Sequence, residues 1–145
     1  MTDWQLRKAT ETDADGLAEC LTAAYAPYKH TIPDLPDVAD DCAGQIARCQ
    51  VWVIEQAGSI IAALLLTPGD GHLHLINVAV HPDHKGKGLG RYLISKAEAE
   101  AATHGFSALN LTTHAMMPEN VRLYTHLGYH EEGRSTSKVF MRKDL

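Results

Sequence analysis

Apolar and polar positions alternate weakly over residues 4–9, the period of a short β-strand. Thr10, with Asp13 three residues on, forms a capping-box pattern, and Leu17, Cys20, Leu21, Ala24 and Tyr25 then recur at helical spacing. Pro27, Pro33 and Pro36 break the following stretch into a loop. Residues 38–49 read as a second helix, with Asp37, Asp40 and Asp41 at its start, where the helix dipole favours acids. Residues 51–54 and 60–67 are strand-like, and the tight turn Ala57-Gly58-Ser59 between them predicts a hairpin. A turn at residues 68–71 leads to a third strand, 73–80, which stops at His81-Pro82 because proline lacks the N–H that a ladder needs. Residues 90–104 present Leu93, Ile94, Ala97 and Ala101 on one helical face, and Gly105 suits the end of that helix. A strand at 108–113, a helix at 118–127 ended by Gly128, and two short strands around Tyr129 and Val139–Met141 complete the chain.

The resulting order, β-α-α-β-β-β-α-β-α-β-β, joins a mostly antiparallel front half to one β-α-β crossover. It predicts an α+β (mixed α/β) architecture with a mixed sheet. A length of 145 residues suits a single domain spanning 1–145. Hydrophobic residues at 45% and charged residues at 21% exclude a disordered or repetitive chain. The longest apolar run, residues 60–66, falls far short of the ~20 residues of a membrane span. The first residues carry no apolar core of a secretory signal. Cys20, Cys42 and Cys49 are odd in number and form no C-x-x-C pair, so neither a disulfide scaffold nor a zinc–cysteine site is expected. A reduced, cytoplasmic setting fits that usage. The net charge of −5 disfavours a nucleic-acid partner. That charge is divided: residues 1–60 hold ten acids and four bases, whereas residues 61–145 are nearly balanced.

The most informative stretch runs from Val78 through Ala79 and Val80 to His-Pro-Asp-His-Lys85-Gly86-Lys87-Gly88-Leu89-Gly90-Arg91. A strand ends, glycines follow at alternate positions, and a helix begins. Glycine admits positive φ and close approach of a ligand, and a helix start offers unpaired N–H groups and a positive dipole end. Lys85, Lys87 and Arg91 add charge, so a phosphate or pyrophosphate is the expected guest; a solvated surface turn is the plain alternative. No Gly-Lys-Ser/Thr of a Walker loop occurs, and G-x-G-x-G is one residue shorter than a dinucleotide fingerprint. The loop also lies too late in the chain for the doubly wound sheet of a nucleotide- or S-adenosylmethionine-binding domain.

Residues 80–93 resemble the acyl-CoA loop, [RQ]-x-x-G-x-[GA], of the GCN5-related N-acetyltransferase (GNAT) family. Asn120-Val-Arg-Leu-Tyr-Thr-His-Leu-Gly-Tyr129 is similar to the family's N…L-Y-x-x-L-G-[FY] segment, and Leu6-Arg-Lys-Ala-Thr resembles its usual start. The element order is compatible over essentially the whole chain. The resemblance implies a central, mostly antiparallel sheet flanked by helices, with acetyl-CoA as co-substrate and a primary amine as acceptor. It implies that the backbone of Val78, Ala79 and Val80 pairs with the pantetheine arm, in a gap where this strand splays from the next. It further implies that the amides from Lys85 through Gly86, Lys87, Gly88, Leu89 and Gly90 to Arg91 hold the pyrophosphate, and that Asn120 contacts the cofactor. Lys85 stands where the family has Arg or Gln. Met117 stands where its asparagine usually lies, one turn before Asn120.

Transfer to an amine needs a base to free the nitrogen lone pair and a proton for the departing thiolate. By the resemblance, Tyr124 lies near the sulfur and is the donor; packing of the last sheet strands is its alternative role. Many family members place a glutamate at the position of His74, so His74 is the candidate base. His72 and His74 share a strand face in this reading, which also fits two exposed polar residues or, less well, a metal pair without a third ligand. His114 follows the next strand and is a further candidate to line the site. No metal is expected. Retention of Tyr124 favours an enzyme over a non-catalytic acyl-CoA-binding module, and the absence of the glutamate at 74 favours the module. Family members often dimerise, so a homodimer is compatible with the resemblance. The acids Asp34, Asp37, Asp40 and Asp41 predict attraction of a cationic amine, with a solvated acidic face as the alternative.

Overall fold

The computed structural model describes residues 3–29, 31–32 and 39–145. Seven strands and four helices follow in the expected order: β1 (Trp4–Lys8), α1 (Ala14–Tyr25), α2 (Cys42–Arg48), β2 (Gln50–Gln56), β3 (Ser59–Pro68), β4 (Leu73–Val80), α3 (Leu89–Thr103), β5 (Ala108–His114), α4 (Pro118–His126), β6 (His130–Arg134) and β7 (Lys138–Asp144). The strands form one sheet in the order β1-β2-β3-β4-β5-β7-β6, antiparallel throughout except where β4 meets β5. That parallel pair is the β-α-β crossover through α3. No helix among the described residues is long and apolar enough to cross a membrane.

The apolar run of β3 is explained by a sheet covered on both faces. Ala62, Leu64 and Leu66 join the core beneath α3 with Leu93, Ile94 and Leu109. Ala63 and Leu65 join a second core beneath α1 with Leu17, Leu21 and Val53. The β2–β3 turn places Ala57 and Gly58 at φ 51° and 81°, the left-handed pair that matches the twist of a two-residue hairpin. The capping-box reading holds at Asp13, whose carboxylate accepts the Thr10 N–H at 2.7 Å. The same carboxylate takes both terminal nitrogens of Arg7, at 2.7 and 2.9 Å, and Arg7 Nε reaches Glu55 at 3.0 Å. This fork ties β1 to the start of α1 and holds the Asp13 carboxyl down at about 2.

The second helix is shorter than its sequence pattern. Asp41 adopts φ 55°, a conformation that cannot continue a helix, and its carboxylate accepts from the Gly44 N–H at 3.2 Å. Asp41 also pairs with Arg48 at 3.3 Å, so this acid serves its own helix. Asp34 and Asp37, with His30, Pro33, Pro36 and Val38, lie outside the described residues.

Two irregularities of β4 open a cleft in the sheet. Leu66 pairs with Leu75 and Leu65 with Asn77, so Ile76 is an extra residue, a bulge. It reverses which side chains face which side: Leu73 and Leu75 belong to the α3-side core, whereas Ala79 belongs to the α1-side core. Pairing with β5 covers only Leu73–Leu109, His74–Asn110 and Leu75–Leu111. Beyond the bulge the two strands part.

Candidate active site

The parted strands leave a cavity of about 310 Å³, walled by Val78, Ala79 and Val80 of β4, the glycine loop, the start of α3, and Asn120, Leu123 and Tyr124 of α4. A smaller cavity of about 150 Å³ continues toward the ends of β5 and β7. Tyr25, Val78, Met117, Asn120 and Tyr124 are walls of both. The larger volume is in the range of small-molecule sites.

At the loop end, Pro82–His84 makes one 3₁₀ turn, Lys85 is extended, and Gly86 and Gly88 take φ 80° and 77°. Nothing lies within 4 Å of a Cβ built on either glycine; positive φ and open space are the reasons for glycine there. Gly88 opens α3 without a side-chain cap. The N–H groups from Gly86 to Arg91 find no acceptor among the described residues. Lys85 and Arg91 line the cavity, whereas Lys87 turns aside, its Nζ donating to His84 Nδ1 at 3.1 Å. Unpaired amides, a helix N-terminus and exposed cations are together suited to holding an anion.

At the other end, α4 presents Tyr124. The helix starts at Pro118 after buried Met117 and closes at Gly128, where φ is 101°. The Tyr124 ring packs edge-on against Tyr129, with centroids 5.8 Å apart, and is 8% exposed. Its hydroxyl makes no hydrogen bond with the described residues, and the residue is a wall of both cavities. Burial, first, and neighbouring Tyr25 push this phenol far above its ordinary pKa. Asn120 Nδ2 donates to Thr113 Oγ1 and Met117 Sδ, each at 3.4 Å, which fixes it against β5.

The structure separates the candidates. Val78, Ala79, Val80, Lys85, Gly86, Gly88, Leu89, Gly90, Arg91, Asn120 and Tyr124 surround one space. His114 lines the smaller cavity, its Nδ1 accepting the Met116 N–H at 3.0 Å. His74 lines neither cavity: it sits where β4 is still paired to Asn110 of β5. Desolvation, with His72 adding to it, lowers its pKa. His72 lies in the turn before β4, its Nδ1 held by the Asp70 carbonyl at 3.0 Å. No group of three or more metal-ligating side chains occurs among the described residues.

Two aromatic walls were invisible to pattern reading. Tyr25 counts as core by its helical spacing, yet its hydroxyl crosses to β4 and donates to Asn77 Oδ1 at 2.7 Å. Asn77, 7% exposed, is turned to that side by the bulge. Tyr28, just after α1, donates to Glu119 Oε1 on α4 at 2.7 Å, linking the two banks of the cleft. An asparagine within an apolar strand was the one available signal, since a buried amide requires partners.

The profile of the acetyltransferase (GNAT) family matches residues 16–129. This chain belongs to that family. As an acetyltransferase-family member it is 27% identical over 134 residues to the uncharacterised N-acetyltransferase YjgM of Escherichia coli K12, covering 86% of this chain and 80% of that protein. Its fold is that of the PaiA N-acetyltransferase of Thermoplasma acidophilum, solved with coenzyme A: TM-score 0.88 at 16% identity over 99% of this chain and 100% of the other. It is likewise similar in fold to yncA of Salmonella typhimurium, solved with its cofactor acetyl-CoA, at TM-score 0.75 and 24% identity over 99% and 95% of the two chains.

Proposed function

We propose that the chain is an acetyl-CoA-dependent N-acetyltransferase that moves the acetyl group to a primary amine by direct attack within a ternary complex. The observation that carries this reading is the gap between β4 and β5, which runs from a loop of unpaired amides to an unpartnered phenol. Relatives of the same fold hold coenzyme A and acetyl-CoA, which supports that ligand here.

The residues present fit the cofactor. The amides of Gly86 to Arg91, with the charges of Lys85 and Arg91, would hold a pyrophosphate. The β5-side edge of β4 is unpaired beyond Leu75, so the backbone of Val78, Ala79 and Val80 is free to bond an amide-bearing arm as a strand would. Asn120 and Tyr124 would stand at the thioester end.

Bound acetyl-CoA supplies a thioester, whose carbonyl carbon takes the amine lone pair and whose sulfur leaves with the C–S electrons. The acceptor ammonium first gives a proton to solvent, because only the neutral amine has a lone pair. Tyr124 gives its hydroxyl proton to the departing sulfur and regains one, through solvent, from the new amide nitrogen. The balance is thioester plus ammonium giving amide, thiol and one proton. His74, kept neutral by burial, would act as base only through intervening water.

The test is release of free thiol from acetyl-CoA with a panel of primary amines. Turnover of at least one amine, with the acetylated amine identified by mass, is the expected result. Micromolar acetyl-CoA binding with no turnover of any amine would instead establish a non-catalytic acyl-CoA-binding module.

A further inference from the structure

On that reading, we infer that the acceptor is a small amine bearing its own carboxylate, and that Lys138 in the smaller cavity binds the carboxylate. Lys138 opens β7, opposite His114 of β5, and its backbone N–H is fixed by Ser135 Oγ at 3.1 Å. The side chain is exposed and lines the cavity whose inner wall is Tyr124. It makes no ion pair or side-chain hydrogen bond with the described residues, as is also true of Lys85 and Arg91 at the anion loop. Apart from Lys138, the lysines and arginines lining these two cavities are Lys85 and Arg91, at the anion loop.

The remaining polar lining is rich in donors. Tyr25 occupies the Asn77 carbonyl oxygen, which leaves that amide's N–H groups for the cavity. The Tyr124 hydroxyl is unpartnered and Thr112 adds another. No carboxylate is among the described lining residues. An exposed ammonium beside several donors, with no carboxylate among the described lining residues, favours an anionic guest. The cavity's size sets the rest: about 150 Å³ accommodates a molecule about as large as benzene. An amine directed at Tyr124 and a carboxylate directed at Lys138 would both lie in this one cavity, a few bonds apart, as in a free amino acid. A polyamine, or a lysine side chain of a protein, offers no such group.

The experiment compares matched pairs of amino acids and their carboxamides as acceptors for the full chain at saturating acetyl-CoA, read by thiol release. The carboxamide has the less basic amine and is the better nucleophile near neutrality, so intrinsic chemistry works against the expected result. Wild type should prefer an acid over its amide by about tenfold or more in kcat/KM. Lys138→Gln should remove most of that preference through KM, raising it far more for the acid than for the amide, and Lys138→Arg should restore part of it. Equal use of acid and amide by wild type, a preference for polyamines, or an equal effect of Lys138→Gln on both partners of a pair would overturn the proposal while leaving the acetyltransferase reading intact. If no amine is acetylated, that reading falls and this proposal with it.

Discussion

Tyr124 is held by packing and left without a hydrogen-bond partner at the hydroxyl proposed as the proton donor. Its ring packs against Tyr129, and its hydroxyl has no hydrogen-bond partner among the described residues. Removing the oxygen should leave the fold and the binding walls intact. We expect Tyr124→Phe to lower kcat by about 10²-fold, with acetyl-CoA affinity changed less than about threefold. Because burial raises this phenol above its ordinary pKa of about 10, it stays protonated there, and the wild-type kcat profile should show no alkaline fall from Tyr124 up to that pH. A steady-state comparison across pH checks both; an unchanged kcat would assign the proton to another donor. Tyr124 was legible because it sits in a spaced motif, Leu-Tyr-x-x-Leu-Gly. Asn77 and Tyr25 were not: their meeting depends on the β4 bulge, and a one-residue insertion in register leaves no periodic trace in sequence.

At the scale of elements, the site is where two strands stop pairing and a helix starts. Gly88 combines both demands, with φ 77° at the first position before α3. A β-branched residue strains that conformation and covers the amides around it. Gly88→Val should weaken coenzyme A binding by about tenfold or more. Gly105, with φ 79° at the far end of the same helix, supplies the control. Gly105→Val should cost comparable stability, about 1–2 kcal/mol, without changing affinity. Calorimetric titration alongside thermal unfolding separates the two; parallel loss of affinity in both variants would make the effect one of helix stability. The helix and strand order was readable because propensity and period agree over most of the chain. The second helix was overextended because Asp41, a good N-terminal residue, takes a left-handed conformation that ends helical continuity upstream.

Across the whole molecule, two cores pack on opposite faces of one sheet, and the cleft runs between strands whose far sides they support. The Tyr28–Glu119 hydrogen bond joins the α1 side of that cleft to the α4 side. The Tyr28 hydroxyl, first, lowers the Glu119 pKa, so the bond persists throughout the neutral range. One exposed charge-assisted bond contributes about 1 kcal/mol, so Tyr28→Phe and Glu119→Gln should each speed coenzyme A release by about fivefold, and the double variant no further. A stopped-flow chase measures this; additive effects would show that the two residues act separately. By itself the sequence determined the element order, the mixed sheet, the glycine loop before α3 and the place of Tyr124 on α4, because each is written in local period, local backbone requirement or a spaced motif. Only the tertiary structure decided that His74 stays in the paired part of the ladder and outside the cavities, that Tyr25 fixes Asn77, and that Lys138 enters the same small space as Tyr124. These depend on strand register and on where β4 leaves β5. Both are settled by packing between segments as far apart in sequence as Tyr25 from Asn77 and Tyr28 from Glu119, beyond the reach of any local pattern.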